Sequence, residues 1–432
     1  MLDPIGAYND ILELYLSYLD TVYRLRRQDL SQERQRLLRQ PGNLMPEPFI
    51  EPILRYQPSD IRLEDCLDNE SHNNPLKKFN REQRRAIVEM VFSGLFPGEP
   101  ATGELSRQSI FSPYAHQIQM LQRGLKSGHP GIVTSGTGSG KTESFLLPIL
   151  AELTAEATQW EPPAVDYLQY QWWREGNKFE YHRRGEASNR PQAVRALILY
   201  PMNALVEDQM VRLRTMLDSP EAIEILNKRA NGNRIFFGRY TSASPVPGYL
   251  THPRRKNEQK EKDAARRRLK RTKTTLLTLA SDQEKALRYD KSHPEADATR
   301  YLFPSPTGSE LITRWDMQET PPDLLITNIS MLNAMLSREV DAKIFDKTRH
   351  WLEADPDAYF FLVLDELHLI RGSTGTEMAA LIRTLINRLG LDRIEYRHKL
   401  RILASSASLP LDGVEGAQSL DYLYDFFGPF GT

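Results

Sequence analysis

The run Thr134-Ser-Gly-Thr-Gly-Ser-Gly-Lys-Thr142 lies directly after the apolar stretch Gly131-Ile132-Val133 and directly before Glu143-Ser-Phe-Leu-Leu-Pro-Ile-Leu150. A strand, a glycine-rich turn ending in Lys-Thr and a helix form a loop whose backbone N–H groups face an anion. That arrangement places the chain in the α/β class. The expected ligand is a nucleoside triphosphate, cradled by Gly136, Thr137, Gly138, Ser139, Gly140, Lys141 and Thr142, with Lys141 on the outer phosphates. One departure stands out: Ser135 occupies the place where the strict pattern begins with Gly.

A second nucleotide signature lies far downstream. Tyr359-Phe-Phe-Leu-Val-Leu364 is a continuous apolar run, as expected of a strand buried on both faces, and it runs straight into Asp365-Glu366-Leu367-His368. An open α/β sheet places its ligands at the C-terminal ends of its strands. Asp365 is therefore expected to hold Mg²⁺ together with Thr142. Glu366 is expected to position and deprotonate the water that attacks the γ-phosphate.

With both signatures in place, the chain resembles the first motor domain of a superfamily 2 DExH-box helicase, over roughly residues 110–415. Leu197-Ile-Leu-Tyr-Pro201-Met-Asn203-Ala-Leu-Val-Glu-Asp208-Gln209 resembles motif Ia. Pro321-Pro-Asp323-Leu-Leu-Ile-Thr327-Asn328 resembles the next phosphate-contacting motif, and Ala404-Ser405-Ser406-Ala407-Ser408 resembles motif III with Ser in its last place. The resemblance implies ATP and Mg²⁺ as cofactors, with Gln117 reading the adenine edge and Phe111 available to stack on the base. It also implies coupling through His368, Ser406 and Ser408, and nucleic-acid contacts through Pro201, Asn203, Arg239, Thr241, Thr327 and Asn328. Within the superfamily, Tyr200-Pro-Met-Asn-Ala-Leu205, Gly238-Arg-Tyr-Thr241, Arg314-Trp-Asp-Met317 and Arg371-Gly372 resemble the large bacterial YprA-related helicases, and most of all the DISARM-type phage-defence helicases (DrmA). DNA is the implied partner in preference to RNA.

The expected architecture is a RecA-like P-loop NTPase domain with a mainly parallel sheet flanked by helices. It spans residues 111–432, interrupted by insertions at about 159–190 and 241–320, and follows a helical accessory unit at 1–110. No Gln-x-x-Gly-Arg-x-x-Arg string, the second-domain motif that supplies an arginine finger, occurs in the 432 residues. The expectation is therefore a motor part that binds ATP and hydrolyses it weakly alone, its second RecA-like domain residing in a partner or a missing C-terminal part. A non-catalytic ATP-responsive nucleic-acid module is an alternative, and a P-loop ATPase acting on protein partners is a third reading.

In the N-terminal unit, Ile11, Leu12, Tyr15, Leu16, Leu19, Val22 and Tyr23 recur at helical spacing. The charged Arg24–Arg39 stretch continues the pattern to Pro41-Gly42. A second helix is expected over Asn80–Phe92, followed by a linker at Phe96–Gly103. The first insertion interleaves Trp160, Tyr167, Tyr170, Trp172, Trp173, Phe179 and Tyr181 with Arg174, Lys178, Arg183 and Arg184. It is either a surface that stacks on an unpaired strand or a small satellite core. In the second insertion, residues 251–273 hold eleven Lys and Arg against Glu258, Glu261 and Asp263, a net of +8. That run is either a solvated helix face or a phosphate-contacting element. Over the whole chain charge is balanced, with 56 basic and 57 acidic residues. The single cysteine, Cys66, excludes a disulfide framework and fits a reducing cytoplasm. The N-terminus lacks the pattern of a signal peptide, and no apolar run approaches a membrane span of ~18 residues.

Overall fold

The computed structural model of the protein describes all residues except 1–3, 41, 45–55, 69–72, 127, 129, 137, 166, 177, 203, 295–297, 371, 408, 411–412 and 429–432. At 4, 5 and 204 it describes the backbone alone. The chain divides into two compact units, Met1–Tyr56 and Gln57–Thr432.

The first unit is a helical hairpin of α1 (Pro4–Val22) and α2 (Gln28–Leu38). The helical spacing expected to run on to residue 39 is broken at Tyr23–Arg27. The break lets α2 fold back, so that Arg34 pairs with Asp20 and Arg39 with Glu13. The Arg34 guanidinium also donates to the carbonyl of Tyr23, one of those left free at the end of α1.

The second unit opens with α3 (Arg81–Met90), whose start is set by a capping box. Asn80 accepts from the Gln83 amide N–H at 2.9 Å, and the Gln83 side chain accepts from the Asn80 N–H at 3.1 Å. The stretch expected as a linker forms strand β1 (Gly98–Pro100), which pairs antiparallel with β2 (Arg107–Ser109). There follow α4 (Ala115–Gly124), β3 (Gly131–Thr134), α5 (Lys141–Ala157), α6 (Trp172–Glu175), β4 (Ala196–Tyr200), α7 (Ala204–Asp218), α8 (Pro220–Arg229) and β5 (Phe237–Tyr240). The rest of the chain forms α9 (Gln259–Ser292), α10 (Arg314–Glu319), β6 (Leu324–Asn328), α11 (Ile329–Ser337), α12 (Ala342–Ala354), β7 (Phe360–Leu364), α13 (Gly372–Arg388), β8 (Leu400–Ser406) and α14 (Gly413–Phe427). Helix α13 begins at Gly372.

Strands β3 to β8 make one parallel sheet in the order β3-β8-β7-β4-β6-β5. Its central strands are apolar throughout because both faces are covered. Ala196, Ile198 and Tyr200 of β4 and Phe361 and Val363 of β7 face a core that also takes residues from α3, α4, α5, α7 and α8. Leu197, Leu199, Phe360, Leu362 and Leu364 face a second core with residues from α11, α12, α13 and α14. This is the expected RecA-like architecture, a parallel sheet with helices on both faces.

The first insertion is a satellite core. Trp172, Trp173 and Phe179 are buried with Val246, Leu276 and Trp315, at no more than 9% exposure each. Of the bases interleaved with them, Arg183 is 1% exposed and donates to Glu186 and to the Pro321 carbonyl. Cys66 is buried too, which pushes its thiol up to about 12 and leaves it unreactive at neutral pH. Among the described residues no helix is long and apolar enough to cross a membrane.

Candidate nucleotide-binding site

The turn between β3 and α5 needs its glycines. Gly138 and Gly140 have φ of 74° and 75°, in the left-handed region that costs an L side chain about 1–2 kcal/mol. At Gly140 a Cβ would also stand 2.4 Å from Gln117 Nε2. The serine at the strict pattern's first glycine position is built into the loop. Ser135 Oγ lies 2.5 Å from Ser139 Oγ, and Ser135 N–H donates to the Ser406 carbonyl of β8 at 3.1 Å.

Gln117 lies against this turn from α4. Its Nε2 donates to the Gly140 carbonyl at 3.3 Å, and its Oε1 accepts from the Tyr114 amide at 2.8 Å. His116, one residue earlier, places Nε2 2.9 Å from the Ser139 carbonyl. That second clamp was missed in the sequence, where an isolated histidine carries no spacing signal. Phe111 is 72% exposed.

Strand β7 delivers the two carboxylates to the same edge. Asp365 is 6% exposed; its Oδ1 accepts from the Ser405 hydroxyl and, at 3.0 Å, from the Glu366 amide. Burial raises its pKa, and the Glu366 carboxylate adds to the rise, while the Ser405 hydrogen bond and the charge on Lys141 act the other way. Glu366 sits at φ 53°, ψ 47°, a left-handed conformation that is rare for a residue with a side chain and gathers at functional sites. The turn aims its Oε1 to within 3.8 Å of Lys141 Nζ. The Lys141 ammonium is buried without a hydrogen-bond partner. A buried cation short of acceptors, facing two carboxylates, fits the phosphates and Mg²⁺ of a nucleotide, which would satisfy both sides.

The remaining expected residues divide between the two halves of this sheet edge. On the nucleotide half, Thr142 Oγ1 accepts from Gln209 Nε2 of α7 at 3.5 Å, and Arg212 of α7 pairs with Glu143. His368 Nδ1 lies 3.2 Å from both the Ala407 amide and Glu366 Oε2, which joins the DExH turn to the end of β8. Ser406 is fully buried with an unpartnered hydroxyl, and it is Ser405, one residue earlier, that reaches Asp365. Strand alternation made that distinction, since successive side chains point to opposite faces.

The nucleic-acid candidates cap the other half, at the ends of β4, β6 and β5. Pro201 follows β4, and Arg239 pairs with Glu207 of α7. Thr241 and Thr327 are buried, and the Thr327 hydroxyl donates to the Tyr240 carbonyl at 2.6 Å. The Asn328 side chain caps α11, accepting from the Met331 amide at 2.7 Å. Thr137, Asn203 and Ser408 lie outside the described residues, as does Arg371.

Residues 114–235 match the DEAD/DEAH box helicase family. The matched segment runs from Tyr114 beside Gln117, through the phosphate loop, α5, β4, α7 and α8, to the threshold of β5. The chain is also 31% identical over 428 residues to Druantia protein DruE of Escherichia coli (strain UMEA 4076-1), covering 93% of this chain and 20% of that protein's length. Among solved structures, it is similar to the DUF1998 helicase MrfA, at 18% identity and a TM-score of 0.35, over 72% of this chain and 29% of that one. It is similar as well to Mss116p bound to single-stranded RNA and AMP-PNP, at 14% identity and a TM-score of 0.38, over 86% of this chain and 45% of that one.

Proposed function

We propose that the chain is the ATP-binding motor domain of a superfamily 2 helicase or translocase that acts on DNA in the bacterial cytoplasm, in antiphage defence. The observation that carries the reading is the approach of Lys141 to Glu366, 3.8 Å apart with the ammonium buried and unpartnered. On this reading Lys141 pairs with the β- and γ-phosphates, the backbone of Gly136–Thr142 cradles them, and Gln117 reads the adenine edge. Glu366 holds the attacking water and takes its proton at a carboxylate oxygen. Mg²⁺, when bound with the nucleotide, would neutralise charge on the phosphates. Thr142 and Asp365 are the side chains placed to hold it, and Mg²⁺ commonly uses only one or two carboxylates besides phosphate oxygens and water.

His368, Ser406 and Ser408 then couple the nucleotide to the nucleic acid, whose contacts on this reading are Pro201, Asn203, Arg239, Thr241, Thr327 and Asn328. The defence role and the YprA-related, DISARM-type assignment rest on the sequence strings at 200–205, 238–241, 314–317 and 371–372. Turnover by these residues alone is proposed to be weak, because an arginine finger contributes about 10³–10⁵ and its motif is not in this sequence.

The test is calorimetry with ATP·Mg²⁺. Lys141→Ala should weaken binding ten-fold or more, about 1.4 kcal/mol or above. Equal affinity of variant and parent removes the nucleotide reading.

A further inference from the structure

Helix α9 is 34 residues long and carries most of the basic run found in the sequence. It has two different halves. From Thr272 onward it is anchored: Thr272, Leu276, Ala280 and Ala286 are buried, Leu276 joins the satellite core, Lys273 donates to the Gly176 carbonyl at 3.1 Å, and Glu284 pairs with Arg174 at 2.9 Å. From Gln259 to Arg271 no side chain is fully buried. At 1.5 Å per residue those 13 residues extend about 20 Å.

The cations are not spread evenly around this half. At 100° per residue, Leu269, Thr272 and Leu276 mark the packed side. Arg267, Lys270 and Arg271 fall on the opposite side, Arg266 flanks them, and all four are exposed. Arg268, which points elsewhere, is used within the fold, on Glu261 and on the Leu250 carbonyl. Of the four only Arg266 has a carboxylate within reach, Asp263 at 3.8 Å. Arg267, Lys270 and Arg271 have no ion pair among the described residues. Held together unpaired, Arg267 repels Lys270 and Arg271, which lie three and four residues further along the helix.

We infer that this cationic face of α9 is a contact surface for the phosphate backbone of double-stranded DNA. The inference rests on the nucleic-acid reading proposed above and says which form of nucleic acid this arm holds. Charge complementarity supplies the polyanion. The absence of aromatic side chains from Gln259 through Arg288 argues against a single strand, whose sequence-tolerant capture uses stacked bases. Shape argues for DNA in the duplex: the exposed face of a helix can lie along the roughly 12 Å major groove of B-form DNA, while the major groove of A-form RNA is too narrow.

The test is duplex binding measured at several salt concentrations by the full chain and by the variant Arg266→Gln, Arg267→Gln, Lys270→Gln, Arg271→Gln. The variant should bind a blunt DNA duplex ten-fold or more weakly at low salt, whatever the base sequence. Its slope of log affinity against log salt should be shallower by about 0.9 for each phosphate that the helix no longer neutralises. Replacing the three arginines by lysine should retain binding, because the charge is kept, while Lys285→Gln with Arg288→Gln on the anchored half should leave binding unchanged. ATP affinity and helix content, followed by calorimetry and circular dichroism, should match the parent in every variant. An unaltered duplex slope overturns the inference, and so does an equal loss on single-stranded DNA or a stronger loss on duplex RNA. A parent chain that binds ATP yet no duplex overturns it while leaving the nucleotide site standing. Failure of the nucleotide site itself is read separately, from Lys141→Ala.

Discussion

Burial makes the Asp365 carboxyl reluctant to ionise, and the neighbouring Glu366 carboxylate makes it more so. A carboxyl whose pKa is raised by folding stabilises the folded chain while protonated and loses that contribution as pH rises through its folded value. In the nucleotide-free chain above that value, the Asp365 charge is thus a cost of folding. Asp365→Asn keeps the oxygen that accepts from Ser405 and from the Glu366 amide while removing the charge. We expect the variant to melt at the parent's temperature or above it at pH 8, with the difference shrinking toward pH 5. The increment in ATP affinity conferred by Mg²⁺ should fall ten-fold or more, about 1.4 kcal/mol. Melting curves across pH and calorimetry with and without Mg²⁺ check the two halves. A variant that is destabilised at pH 8 and still responds to Mg²⁺ contradicts both.

At the level of elements, the opposite edge of the sheet is held by a buried charge cluster. Asp323 stands just before β6 and pairs with Arg190 and, at 3.3 Å, with Arg195; all three side chains are fully buried. Its carboxylate also accepts from the Phe236 amide at 2.7 Å, and its carbonyl accepts from the Arg195 and Ala196 amides. One residue thereby ties the starts of β4, β5 and β6 together. Arg190, at the end of the first insertion, stacks on the buried Trp160 at 3.8 Å from the ring centre. Burial alone would raise the Asp323 carboxyl, but Arg190, Arg183 and Arg195 outweigh it and hold it below the ordinary value. Asp323→Ala leaves the buried guanidinium groups uncompensated and should cost about 3–5 kcal/mol by denaturant unfolding at pH 7. A carboxyl with a lowered pKa contributes stability that is present above its unfolded value, near pH 4, and lost as pH falls through its folded one. The gap between parent and variant should therefore narrow below about pH 4. An Asp323→Ala protein as stable as the parent at pH 7 would remove the cluster's structural role.

For the whole molecule, all three buried apolar clusters draw only on residues from Leu63 onward, among the described residues. Residues 57–110 thus share a core with the sheet: Leu76, Ile87, Val88 and Phe92 pack in one cluster with Leu146, Ile149 and Leu153 of α5. A fragment spanning 57–432 should fold with the melting temperature of the full chain, to within about 2 °C, and bind ATP with the same affinity. In the two-helix unit Met1–Tyr56, Ile11, Leu14, Tyr15, Tyr18 and Val22 are each at least 46% exposed. Cooperative melting of the fragment at a much lower temperature would show that the first unit stabilises the second.

The sequence by itself determined the phosphate loop, the doubly buried strands and the capped start of α3, because each depends on residues a few positions apart: Gly138 and Gly140 at a turn, the unbroken apolar run Phe360–Leu364, Asn80 with Gln83. The end of α1 at Val22 was not legible, since the helical spacing runs on past that boundary. Only the tertiary structure decided which distant groups meet. Parallel strands joined through helices brought Lys141 and Glu366 to one edge and chose Ser405 over Ser406 for Asp365. The same packing buried Trp172 and Trp173 beneath α9 and turned Arg266, Arg267, Lys270 and Arg271 to the surface. Each of those outcomes is set by the register and closure of the whole sheet and by what packs on it, a property no short stretch of the chain possesses.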